Sequence, residues 1–270
     1  MRIVSVQDIS CLGQCSLTAA LPVLSAYGIE TAILPSGILS THTGGFTGFT
    51  VLDLTEEMNR IVDHWKQEKL TFDAIYTGYI GDARQFDTVR GLRELLNAGG
   101  KLIVDPAMAD NGKLYGALNE EIVVGMRGIV READIILPNL TEAAFLLDEP
   151  YQEAYSHEEI LSMLHRLADM GPETVILTGV SDGPDRIGAA AYRRSTDTVT
   201  EYYAERQSQS YHGTGDLFSA IAIAGLLKGR PISEVLEQSC EFIVRCIRAT
   251  VDDPSHFYGV KFEEVLAEGR

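Results

Sequence analysis

At 270 residues, 45% of them hydrophobic and 23% charged, the chain has the mix of an ordinary soluble protein and the length for one full core. Lys and Arg number 22 against 39 Asp and Glu; the formal charge of −17 excludes nucleic acid and anionic membranes as partners, because its field repels polyanions. No apolar run is long enough to span a bilayer, and the opening MRIVSVQDIS is too short for a signal sequence. Cys11, Cys15, Cys240 and Cys246 form no C-x-x-C pair and read as reduced thiols of a cytoplasmic protein.

The elements alternate along the chain. RIVSVQ is a short apolar strand ending at Gln7 and Asp8, SLTAALPVLSAYG is a helix closed by Gly28, and TAILP is a second strand. STHTGGFTGFTVLD then breaks all periodicity. The helix LTEEMNRIVDHWKQEK leads to the strand FDAIYTGYIG, and the helix ARQFDTVRGLRELLNAGG to the strand KLIVDPAMADNG. EEIVVGMRGIVREA is a helix before DIILPNLTE, a strand running directly into another helix. SHEEILSMLHRLADMG, with Ser156 and Glu159 spaced as a capping box, precedes the strand TVILTGV. IGAAAYRR and TVTEYYAE make a hairpin or edge pair, and helices over residues 214–228 and 232–250 follow.

This alternation predicts one α/β domain over residues 1–270, with a mostly parallel sheet covered by helices. A closed eight-stranded barrel fits the length as well; the late strand pair and the last two helices favour an open sheet. Ligands of open α/β sheets sit beyond the carboxyl ends of the strands. Gln7 and Asp8, Asp105 and Pro106, Asn139, and Thr178 and Gly179 all fall at such ends and are expected to share one rim.

Three segments there carry chemistry. In SYHGTGDLFSAIAIAGLLKG, Gly213, Thr214 and Gly215 leave backbone N–H groups bare at a helix start, which suits an anion, and Asp216 follows. The plain alternative is that Asp216 is a helix-capping residue. Asp105 in IVDPAM reads equally as a turn residue, and Asn139 with Glu142 in PNLTE as a capping box. Taken together, Asp105, Glu142 and Asp216 are acids gathered on one rim, and gathered acids call for a hard divalent cation with oxygen ligands. Beside an anion-binding helix start, that points to metal-assisted phosphoryl transfer. The G-x-x-x-x-G-K-[ST] pattern and the protein-kinase Gly-rich loop are absent. THTGGFTGFT reads as a disordered connection or a lid, and its Phe46 and Phe49 favour a lid over a flat ring. His42, His64, His165 and His212 are not spaced as metal ligands.

GTGD opening a late helix, with DPAM and PNLTE, resembles the ribokinase-like superfamily, an open, mostly parallel sheet between helix layers. QDISCLGQCSLTAALPVLSAYG, LSTHTGGFTGFT, YTGYIG, VDPAMADNGKLY and ADIILPNLTEAAFLL narrow the resemblance to the pyridoxal kinase family, in its pyridoxamine kinase-like branch, over nearly the whole chain. The resemblance implies a homodimeric, magnesium- and ATP-dependent kinase, with a monovalent cation such as potassium as a further requirement in some members. It would phosphorylate the 5′-hydroxymethyl group of pyridoxal, pyridoxine or pyridoxamine. By the same resemblance Asp216 is the catalytic base, and Gly213, Thr214 and Gly215 form the anion hole. Asp105, Thr141 and Glu142 fall with magnesium and the nucleotide phosphates, Asn139 and Thr178 with the nucleotide, and Thr43 and Gly44 with the pyridine substituents. Two positions depart from it: Asp8, on the substrate side, replaces a Ser of better-known members, and Thr214 stands where some related kinases carry a Cys. The rival readings are a hydroxymethylpyrimidine kinase and, of another class, a non-catalytic ligand-binding protein on the same fold.

Overall fold

A computed structural model describes residues 1–116 and 118–268 of the chain. In chain order the elements are β1 (Arg2–Ser10), α1 (Ser16–Ala26), β2 (Glu30–Leu39), β3 (Val51–Asp53), α2 (Thr55–Gln67), β4 (Phe72–Thr77), α3 (Gln85–Leu92) and β5 (Leu96–Val104). Next come β6 (Ala109–Asp110), β7 (Lys113–Leu114), α4 (Glu120–Val130), β8 (Ile135–Ile136), α5 (Leu140–Leu147) and α6 (His157–Asp169). Then follow β9 (Thr174–Ser181), β10 (Arg186–Arg193), β11 (Thr198–Glu205), α7 (Thr214–Leu227), α8 (Ile232–Thr250) and α9 (Phe262–Glu268).

Nine strands form one open sheet in the order β11-β10-β9-β8-β5-β4-β1-β2-β3. The pairs from β9 across to β2 are parallel, while β3 at one edge and the β10–β11 hairpin at the other are antiparallel. One apolar layer, including Met58, Phe86, Met126 and Leu164, packs α2 to α6 on one face; a second, including Leu24, Leu217, Ile221 and Leu236, packs α1, α7 and α8 on the other. Parallel strands joined by helices must bury both faces, so their runs are continuously apolar rather than alternating.

Several boundaries differ from the sequence reading. β1 runs on to Ser10, so Asp8 lies inside the strand. There the ladder breaks: Gln7 pairs with Pro35 but Ile9 with Ile38, leaving Asp8 at a bulge. The last residues of the predicted helix ARQFDTVRGLRELLNAGG belong to β5. Leu96 pairs with Phe72 and Lys101 with Ala74, and residues 97–100 bow out of the ladder, with Gly99 at φ 81°. Gly99, in the left-handed region, supplies the bow. Val51–Asp53, inside the segment without periodicity, is an edge strand on β2, and α9 lies past the last predicted helix. The Ser156–Glu159 capping box is formed as its spacing predicts.

Candidate active site

α7 starts where it does because Gly213 adopts φ 80°, a left-handed turn in which a Cβ would lie 1.8 Å from the Gln14 carbonyl oxygen. Thr214 Oγ1 donates to the Tyr211 carbonyl at 3.0 Å and pins the loop. The first N–H groups of such a helix have no intrahelical acceptor. Asp216 sits in this first turn, and no side chain caps the helix. It therefore looks out on a cavity of about 880 Å³ that also touches Asp8, Thr43, Gly44, Asp105, Asn139, Glu142 and Thr178. Of the strand-end residues expected on one rim, Asp8, Asp105, Asn139, Thr178 and Gly179 line this cavity, and Gln7 and Pro106 do not. Desolvation, then the charge of Asp105, push the Asp216 carboxyl up to about 8, against the pull of the Ser16 backbone N–H.

Asp105 follows β5 and is held from two sides: Oδ1 accepts from the Ala107 N–H at 3.2 Å and Oδ2 from Ser219 Oγ at 2.6 Å. Ser219 stands three residues beyond Asp216 on α7, so one helix turn carries both groups. Tyr76, fully buried, puts its hydroxyl beside Ser219 and Gln7 without a well-formed hydrogen bond to either. Burial and the Glu142 charge raise the Asp105 carboxyl above its ordinary value.

PNLTE has the geometry of its plain reading. Glu142 Oε2 accepts from the Asn139 N–H and Asn139 Oδ1 from the Glu142 N–H, each at 2.9 Å, a complete capping box on α5. Glu142 Oε1 accepts from the Met108 N–H at 2.9 Å, which ties the box to the segment after Asp105. Asn139 Nδ2 donates to the Ala109 carbonyl at 2.8 Å. Thr178 bridges to Asn139 as β9 passes. Thr141 departs from its expected role: it is buried away from the cavity, and its Oγ1 accepts from the Gly112 N–H at 3.1 Å. Nor do the acids close up as a ligand set, because among the described residues no three His, Cys, Asp or Glu side chains converge to hold a metal. Magnesium commonly takes one or two carboxylates plus waters and substrate phosphates, and the all-oxygen donors Asp105 and Glu142 fit that mode.

Asp8, in the same cavity, is 4% exposed, accepts from Ser10 Oγ at 2.9 Å and lies beside Ser16, whose backbone N–H reaches Asp216. Thr43 is exposed on the wall. Gly44 donates its N–H to His42 Nδ1 at 3.0 Å, and a Cβ at Gly44 would lie 2.4 Å from the His212 ring. His42 and His212, unremarkable by spacing, face each other at 5.6 Å across the two loops. Phe49 lines the cavity, but Phe46 turns away and packs against His42 and Phe257, so only one of the two aromatics expected of a lid faces the site.

The sequence reading missed an apolar slot between β10, β11 and α8, lined by Ile187, Ala204, Ile243 and Ile247, and the basic Lys113 and Arg206 near it. Aliphatic residues of a slot carry no mark that separates them from core. Ser219 carried one: a lone hydroxyl in the apolar run of α7.

Comparisons with known proteins give the family and the fold. Residues 17–259 match the family described as phosphomethylpyrimidine kinase. A putative phosphomethylpyrimidine kinase from Bacteroides thetaiotaomicron, solved with pyridoxal, superposes with a TM-score of 0.94 at 37% identity, over 99% of this chain and 94% of that one. The pyridoxal kinase of Lactobacillus plantarum superposes at 0.90 with 30% identity, over 99% and 95% of the two chains. The pyridoxal kinase of Ovis aries is 28% identical over 242 residues, 83% of this chain and 76% of that protein. With a family match spanning most of its length and a ribokinase-like sheet built around one acid-lined cavity, the chain belongs to the phosphomethylpyrimidine kinase family, in the company of its pyridoxal kinases.

Proposed function

We propose that the chain transfers the γ-phosphoryl group of ATP to the 5′-hydroxymethyl group of pyridoxal, pyridoxine or pyridoxamine. The observation that carries this reading is Asp216: a carboxylate in the first turn of α7, beside uncapped amides and in one cavity with Asp8 and Thr43. The Bacteroides thetaiotaomicron relative, whose structure was solved with pyridoxal, supports the substrate class.

In this reading the ring lies between Asp8, Thr43 and His42, and its hydroxymethyl group reaches Asp216. Asp216 accepts the hydroxyl proton as the oxygen attacks the γ-phosphorus and the bond to ADP breaks. The N–H groups of Gly213, Thr214 and Gly215 take the charge that grows on the phosphoryl oxygens. Asp105 and Glu142 would hold magnesium, which when bound neutralises phosphate charge. The apolar slot suits the flat adenine ring, and Lys113 and Arg206 suit the phosphates.

A homodimer is the assembly we infer, supported by the edge strand β3, which exposes Val51 and Leu52 at 59% and 58%; light scattering tests it. A cytoplasmic setting accords with four free thiols and with the need for ATP. The direct test incubates the protein with magnesium and ATP against pyridoxal, pyridoxine, pyridoxamine and hydroxymethylpyrimidine separately, with mass detection of monophosphates. Product from the three pyridines is expected. Product from the pyrimidine alone supports the thiamine-type kinase instead, and none from any supports a binding protein.

A further inference from the structure

Asp8 is a buried carboxylate without a cation. It stands at the β1 bulge, where the extra residue of β2 shifts the register and re-aims the side chain, a device that recurs beside active sites. Its hydrogen-bond donor is the neutral hydroxyl of Ser10, and Ser16 lies beside it. Among the described residues no Lys, Arg or His comes within ion-pair distance of it. The titratable groups that feel Asp8 supply no positive charge: Asp216 is acidic, and burial favours the neutral thiol of Cys15 and the neutral phenol of Tyr79. Burying a charge in this way is costly unless something pairs with it. A ligand is the partner left, since Asp8 lines the same cavity as Asp216.

We infer that Asp8 receives a positively charged nitrogen of the substrate. This rests on the reading of the protein as a kinase of vitamin B6 rings and deepens it. Such rings offer the required chemistry close to the reacting hydroxyl in two places. The pyridinium N–H is common to all three vitamers, whereas the 4′-ammonium belongs to pyridoxamine alone. An aminopyrimidine, neutral at physiological pH, offers neither. Asp8 therefore also accounts for selection of a pyridine over a pyrimidine. The cavity trades stability for recognition: the free protein carries an unpaired acid that the bound ring neutralises.

The test measures kcat and both KM values of wild type, Asp8→Ser and Asp8→Asn with pyridoxal and pyridoxamine, alongside the melting temperature of each ligand-free protein. The variants are expected to raise the KM for the vitamer roughly ten-fold or more, the size of a charged hydrogen bond, with the KM for ATP unchanged. They are expected to melt no lower than wild type, since an unpaired buried charge has been removed. A rise confined to pyridoxamine assigns the ammonium, and an equal rise for both vitamers assigns the ring nitrogen; either supports the inference. A vitamer KM within two-fold of wild type in both variants overturns it. So does a lower melting temperature with falling kcat and unchanged KM, which makes Asp8 a scaffold residue. Wild type that phosphorylates no vitamer overturns the proposed function itself, a result distinct from either.

Discussion

Replacing Gly213 by alanine sets a methyl group 1.8 Å from the Gln14 carbonyl oxygen and 2.8 Å from its carbon. Ordinary C···O contacts lie at about 3.3–3.6 Å, so the loop or the Gln14 backbone must shift by roughly 1.5 Å. The left-handed φ of 80° adds about 1–2 kcal/mol of its own for any residue with a Cβ. That strain lowers the melting temperature by about 2–4 °C per kcal/mol in a chain of this size. Kinetically the effect is larger. A displacement of about 1 Å at a reacting centre costs about 10²-fold, so kcat/KM for ATP is expected to fall at least that far. Gly215→Ala is the control. Its Cβ meets nothing within 4 Å, so the helix gains about 0.5–1 kcal/mol while the methyl enters the space proposed for phosphate. Activity lost from a protein at least as stable as wild type separates site from scaffold. Steady-state kinetics and thermal melts on both variants decide it. Gly213→Ala that stays folded and keeps kcat/KM within about three-fold of wild type would refute the anion-hole argument.

Asp216→Asn keeps shape but loses basicity, and kcat is expected to drop about 10²–10⁴-fold with KM values largely kept; turnover within a few-fold of wild type would leave Asp216 without a catalytic role. Because its carboxyl is raised from 3.8 to about 8 in the folded protein, the folded state binds that proton more tightly than the unfolded state. The stability it contributes is full below about pH 4 and fades as the pH rises through about 8, so ligand-free wild type loses more melting temperature than Asp216→Asn between pH 5.5 and pH 8.5. Glu142→Gln removes one of two acceptor oxygens that serve backbone N–H groups, and is expected to cost about 1–3 kcal/mol in denaturant melts; no loss would show the capping box to be dispensable. Ser219→Ala takes from Asp105 Oδ2 its hydroxyl donor and is expected to lower kcat about ten-fold with the fold intact; a kcat within two-fold of wild type in steady-state kinetics would leave that contact structural.

What the sequence disclosed was where the unusual acids would gather. Asp105, Glu142 and Asp216 stood out because acids beside apolar runs are unusual, and they share the cavity. Periodicity also told helix from strand across most of the chain, and it failed where side chains do not decide. At residues 97–100 two glycines and an asparagine give no apolar pattern, and the segment bows out of the ladder between the paired Leu96 and Lys101. Thr141 shows the converse limit. A hydroxyl next to a cavity-lining acid matched its family position, yet it accepts from the Gly112 N–H instead of lining the cavity. The His42–His212 contact joins residues far apart in sequence and needs the fold to appear. The bulge at Asp8 depends on β2 having an extra residue, which neither strand reveals alone.

α7 is apolar on every side, with residues from Leu217 to Gly225 buried between α1, α8 and the sheet. A helix so enclosed cannot rotate or slide without opening the second apolar layer. Its central amides should therefore exchange with deuterium only when the whole molecule unfolds, as the last to do so. Asp216 sits at the end of that immobile rod, fixed before any ligand arrives. In the proposed reaction the segment around Thr43 and Phe49 would close toward a carboxylate that waits in place.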